Sequence, residues 1–338
     1  MTISIQRAAA LLVLALAAAR GLATGAEDVT LLNASYDVTR EFYRDVNPAF
    51  AAAWLAKSGQ KVEVHQSHAG SSKQARAVID GLQADVVTMN QVLDIDAIAE
   101  KSGAVPADWA TRLPNGAVPY TSTILFLVRR GNPKGITGWD DLVKPGVAVI
   151  IPNPKTSGNG RYSYLAAWAH ALRAGGADEA KARQFVARLF ANVPVLDTGG
   201  RGATVTFAQR GIGDVLLTFE NEIGLIAQEQ PGEGFATVVP ALSIQADNPV
   251  AVVERVAAKR GTTSVAQAYL EFLFSDAGQE LAAKHGFRPV TPAILASHAA
   301  RFPTLELVTV AQVFGSWKQA QQVHFSDGGV FDQIYQPH

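Results

Sequence analysis

Apolar and polar positions fall along this chain in blocks that read as strand, turn and helix. Gly146-Val147-Ala148-Val149-Ile150-Ile151 is a short apolar run rich in β-branched residues, the kind that makes a buried parallel strand. Asn153-Pro154-Lys155-Thr156-Ser157-Gly158-Asn159-Gly160-Arg161 follows, rich in small residues and hydroxyls. Tyr164, Leu165, Trp168, Ala169 and Leu172 then recur at helical spacing, so the stretch between is a strand-to-helix turn.

The same plan repeats. Val29–Asn33 reads as a strand, Ser35–Thr39 as a turn, and the helix after it buries Phe42, Val46, Phe50 and Trp54, with Pro48 predicting a kink or break. Val62–Gln66, Ser67–Ser72 and Lys73–Leu82 form a second unit, with Ala84–Thr88 as the next strand. Tyr120–Val128 is a longer apolar strand, and Trp139–Val143 and Asp178–Ala191 read as helices. In the fourth unit Val193–Leu196 is the strand, Asp197–Gly202 the turn, and a helix runs from Ala203 to Gln209. Asp214–Thr218 is a further strand, and the chain from Val238 to Val253 reads as an extended return crossing. Helices are expected over Val265–Phe274, Ala277–Lys284 and Val310–Gln322, with Val330, Phe331 and Ile334 docking a polar tail.

Short links between alternating strands and helices predict an α/β fold. Four turns, around Asp37, Ser71, Ser157 and Gly200, each lie between the carboxyl end of a strand and the amino end of a helix. Ligands bind at that edge of open α/β sheets. The first turn of a helix has N–H groups without intrahelical partners and a partial positive charge, which suits an anion. One such turn alone is accounted for by an ordinary N-cap. Four rich in Ser, Gly and Asn point to an anion site.

Composition narrows the setting. With 338 residues, 48% hydrophobic and 17% charged, the chain suits two packed domains and not a disordered one. A net charge of -1 leaves no basic excess for nucleic acid. Arg7 precedes an apolar run from Ala8 to Ala19, and small residues end at Thr24-Gly25-Ala26, so residues 1–26 read as a signal peptide cut after Ala26. Their loss removes Arg7 and Arg20 and no acid, which moves the net charge to -3. The chain has no Cys, which rules out thiolate catalysis and Cys-ligated metals, and a bacterial periplasm fits.

No catalytic set stands out. Ser157 has no His in its turn, and His68 near Ser71 lacks an orienting carboxylate and a nucleophile elbow. The seven His show no metal-ligand spacing. Gly70-Ser71-Ser72-Lys73 lacks the first Gly of a phosphate loop, and Gly199-Gly200-Arg201-Gly202 is not a dinucleotide fingerprint. Glu220 and Glu222 read as a strand-end cap or hinge contacts before acid–base partners. The expectation is a binding protein with no cofactor and no metal.

At the four turns the sequence resembles the periplasmic sulfate- and thiosulfate-binding proteins of bacterial ABC importers. The resemblance spans Val29 to Ile334 and rests on Ser35-Tyr36-Asp37-Val38-Thr39-Arg40-Glu41, Gln66-Ser67-His68-Ala69-Gly70-Ser71-Ser72-Lys73-Gln74, Asn153-Pro154-Lys155-Thr156-Ser157-Gly158 and Asp197-Thr198-Gly199-Gly200-Arg201-Gly202-Ala203-Thr204, with Phe314-Gly315-Ser316-Trp317 near the end. It implies the class II periplasmic binding protein fold: two α/β lobes with central mixed sheets, joined by two extended hinge crossings. Residues 27–120 and 248–338 would form lobe 1, and 121–247 lobe 2. It implies main-chain donors at Ser71, Gly158, Asn159 and Gly200, and a hydroxyl donor at Ser157. Asp37 would belong to the hydrogen-bond array around the site, and Arg201 would stand behind the donors. Sulfate-specific members carry Trp at the position of Phe219, so this chain looks closer to the thiosulfate branch. The implied partners are thiosulfate or sulfate and a membrane permease, for a monomer in the periplasm. Another oxyanion (molybdate or phosphate) and an exported hydrolase using Ser157 or Ser71 are the alternatives.

Overall fold

The computed structural model describes residues 27–229 and 234–335, so the expected signal segment lies outside it. Two mixed sheets organise the chain. In the first, β1 (Val29–Tyr36) runs parallel to β2 (Val62–Ala69) and β3 (Val86–Thr88), and β9 (Val250–Val252) closes the far edge antiparallel. In the second, β4 (Tyr120–Arg129) is central. It pairs antiparallel with β6 (Val215–Phe219), β7 (Phe235–Val238), β8 (Leu242–Asp247) and β10 (Arg288–Pro289). Then β5 (Val149–Ile150) lies parallel beside β6, and β11 (Glu306–Val308) parallel beside β8. All five residues of β6 are buried, as expected of a strand covered on both faces.

Helices cover these sheets. α1 (Arg40–Ser58) buries Phe42, Val46 and Phe50 on one stripe and ends at Gly59, whose φ of 72° suits the left-handed cap. It continues through Pro48, so of the kink or break expected there the break does not occur. Pro48 and Arg44 are both exposed, so the carbonyl that loses its partner faces water instead of the core. α2 (Ser71–Ile79) starts two residues earlier than its apolar spacing predicts. The patterning gave no helix over α3 (Val92–Ser102), which buries Ile95 and Ile98. α4 (Gly158–Gly175) and α5 (Glu179–Ala191) follow the pattern, with Asp178 capping the latter.

Val193–Leu196 does not form the expected strand. The segment bonds the β5 chain only at its ends, through Val149 N–H to Asn192 and Asn153 N–H to Asp197, and Pro194 has no N–H to offer. The helix after it begins at Gly200, as α6 (Gly200–Thr204), and continues as a wider turn to Gln209. The last expected helix is broken at Gly315, whose φ is 74°. Its second half packs on α4: Trp317 lies 5.1 Å from Tyr162, and Tyr164 Oη bonds His324 Nδ1 at 2.9 Å. Phe331 lies 5.2 Å from Phe190 of α5. These aromatic contacts attach the chain from β11 onward to α4 and α5.

Candidate functional site

The carboxyl ends of β1, β2 and β3 face the turns that follow β5 and precede α6. Gly70 lies against the Thr156 carbonyl, with 3.6 Å left for any added Cβ. A Cβ at Gly158 would collide with the Asn90 side chain, which would have to move to admit one. Gly199 has Asp37 Oδ2 where a Cβ would come within 3.0 Å, and Gly200 sits against Asn159 and Val38. The second-sheet turns are also tied to each other. Thr156 Oγ1 donates to Thr198 O at 3.0 Å, and Asn153 N–H to Asp197 O at 2.8 Å. All four turns named from sequence thus meet in one closed place. Ser71, Ser157, Asn159 and Phe219 are each no more than 3% exposed.

The donors differ in what they have left to offer. Ser157 is the N-cap of α4, and its Oγ accepts Gly160 N–H at 3.4 Å, which leaves its O–H proton free to donate outward. Gly158 and Asn159 are the next two residues, whose N–H groups precede the first intrahelical bond. The Asn159 side chain is committed elsewhere: Nδ2 donates to Thr218 Oγ1 at 3.0 Å and Oδ1 accepts from Ser163 at 3.2 Å. Ser71 uses its hydroxyl locally, donating to Met89 Sδ and accepting Asn90 N–H. Its main-chain N–H stands at the first position of α2, ahead of the first intrahelical bond. Gly200 holds the same position in α6. Phe219 ends β6 and meets Tyr162 edge-on at 5.9 Å, so it supplies an apolar wall and no donor.

Charges stand behind this layer. The Asp37 carboxylate accepts the Arg201 main-chain N–H, and burial pushes its pKa up despite that bond. The Arg201 side chain lies 3.0 Å from Glu41 and 3.5 Å from Glu222. Glu222 accepts from Thr204 at 3.0 Å, and burial pushes its pKa up to about 7. Glu220 makes a two-bond pair with Arg288, at 2.6 and 2.9 Å, which joins the end of β6 to β10. Neither glutamate pairs with the other. Arg161 donates to Pro154 O at 3.0 Å and to Ser72 Oγ at 3.4 Å, bridging α4 and α2 from a buried position.

Asn90, at the carboxyl end of β3, was not among the expected site residues. It is 4% exposed, and Oδ1 has no hydrogen-bond partner among the described residues. Such an unmade bond costs about 1–3 kcal/mol. Its sequence signal was its position: it follows β3 as Asp37 and Ser71 follow β1 and β2.

The family of bacterial extracellular solute-binding proteins matches residues 31–288. The thiosulfate-binding protein of Pseudomonas aeruginosa is 57% identical over 307 residues, covering 91% of this chain and 92% of the relative. The sulfate-binding protein of Escherichia coli is 52% identical over 309 residues, covering 91% and 94%. Among solved structures, the sulfate-binding protein SubI from Mycobacterium tuberculosis superposes with a TM-score of 0.78 at 33% identity, over 91% of this chain and all of the other. A periplasmic thiamin binding protein shares the fold alone, with a TM-score of 0.62 at 17% identity. The two mixed sheets are those of a periplasmic binding protein, and the chain belongs to the bacterial extracellular solute-binding proteins.

Proposed function

We propose that this chain is the solute-binding component of an ABC importer, capturing thiosulfate and sulfate as dianions between its two sheets. The observation that carries the reading is the meeting of the amino ends of α2, α4 and α6 with the Ser157 hydroxyl in one buried place. The names of the relatives support the choice of anion.

The dianion accepts the main-chain N–H groups of Ser71, Gly158, Asn159 and Gly200 and the O–H of Ser157. A hydrogen bond to a charged group is worth about 1.5–3 kcal/mol. The helix ends add partial positive charge. Asp37 fixes the start of α6 through the Arg201 N–H, and Arg201 stands behind the donors between Glu41 and Glu222. A lining of donors admits an anion with no proton of its own and disfavours protonated phosphate, which must donate. Phe219 gives up a donor and leaves an apolar wall, which suits the larger, weakly accepting sulfur terminus of thiosulfate.

Lobe 1 in this reading holds 27–120 and 248–305, and lobe 2 holds 121–247 with 306–335. Closure of the lobes excludes water and forms the face that docks on a membrane permease. The mature protein is a periplasmic monomer, released by cleavage near Ala26, and does no chemistry on its ligand. It needs neither cofactor nor metal. Ser157→Ala tests the site: calorimetry with thiosulfate should show affinity lower by about 1–3 kcal/mol, because the buried anion is left one bond short. An unchanged dissociation constant would remove Ser157 from the site.

A further inference from the structure

We infer that Asn90 is an additional side-chain donor to the bound anion, contributed by the first sheet; the inference rests on the anion-binding reading above. Asn90 follows β3, and its main-chain N–H is held by Ser71 Oγ at 3.3 Å, so its backbone is fixed beside the first residue of α2. The side chain reaches across to the first residue of α4, where it fills the space a Gly158 Cβ would need. It therefore lies between two of the helix ends that supply main-chain donors. Neither end of its amide bonds a described residue, and Oδ1 is fully enclosed.

A buried primary amide with no partner serves no packing purpose that Leu would not serve better. Its position does serve an anion. A half-turn about χ2 exchanges Oδ1 and Nδ2 with almost no change of shape. Nδ2 then takes the enclosed position beside Gly158, with two protons to give. The group has no charge, as with the other donors. It also restores a side-chain donor to a site in which Phe219 has none.

The test is calorimetric titration of anion-stripped protein with thiosulfate and with sulfate, on wild type, Asn90→Ala and Asn90→Asp. Melting without ligand establishes that each variant is folded. Asn90→Ala should weaken binding about tenfold or more, the loss expected of one bond to a charged group. Asn90→Asp keeps the shape but turns a donor into a negative acceptor, and should weaken binding about a hundredfold or more at neutral pH. Affinity of that variant should recover as pH falls and the new carboxyl takes up a proton it can donate, a pH dependence that a packing role would not produce. If wild type binds and both variants match it, Asn90 is not a donor and the anion-binding reading stands. A folded Asn90→Asp variant whose weak binding ignores pH also overturns the proposal. If wild type binds neither dianion, both readings fail together.

Discussion

At the scale of single residues, the site is legible where chemistry and position coincide. Ser157 announces itself as a hydroxyl at the head of an apolar helix, and it is the N-cap of α4. Asn90 carries the same positional signal, but a lone Asn after a strand looks like any turn residue until its neighbours are known. In the proposed function, anion preference turns on Phe219. Replacing it with Trp adds an N–H to the wall, and competition calorimetry should show the preference shift toward sulfate by about tenfold. Glu222 offers a separate test of burial. Its pKa is pushed up from an ordinary 4.5 to about 7, chiefly by desolvation, so the folded protein binds this proton more tightly than the unfolded chain. Its contribution to stability is full below the unfolded value and is lost as pH rises through the folded one. A shift of that size corresponds to about 3 kcal/mol. Glu222→Gln should therefore raise the melting temperature near pH 8 and leave it almost unchanged near pH 4.

At the scale of elements, the departures from the apolar pattern have local causes. Pro48 is tolerated because its helix loses a bond on the wet side, a fact that depends on which face packs. Val193–Leu196 has the composition of a strand, but Pro194 and the short β5 leave it too few bonds. Gly315 breaks the last helix, and nothing in the spacing of apolar residues distinguishes such a Gly from one inside a continuous helix. Elements also depend on polar anchors that periodicity cannot locate. Asp85, fully buried, accepts Leu32 N–H at 2.7 Å and pairs with Arg260 and Thr262, tying the first sheet to the chain after β9. Asp85→Ala would leave the Leu32 amide and the Thr262 hydroxyl without their partner, and should cost about 1–3 kcal/mol in denaturant unfolding. The anion dissociation constant of the folded variant should stay unchanged, because Asp85 is remote from the turns.

At the scale of the whole molecule, the sheets and their order explain why four distant turns meet. The strand–turn–helix plan put the turns at Asp37, Ser71 and Ser157 at the same kind of sheet edge, and the Gly200 turn is tied to the one after β5 through Asn153 N–H and Asp197 O. What the sequence left hidden was where residues 306–335 attach, because that depends on aromatic contacts with Tyr162, Tyr164 and Phe190. The closed place between the sheets also sets a stability expectation. A ligand held only by the folded chain, at a hundred times its dissociation constant, should stabilise it by about 2.7 kcal/mol. Thiosulfate should therefore raise the melting temperature in a concentration-dependent way. The most direct test of anion capture is titration calorimetry on anion-stripped, mature protein with thiosulfate, sulfate, molybdate and phosphate. The account predicts saturable one-to-one binding of thiosulfate and sulfate, with phosphate at neutral pH about a hundredfold weaker or more. Absence of saturable binding for both thiosulfate and sulfate would contradict it.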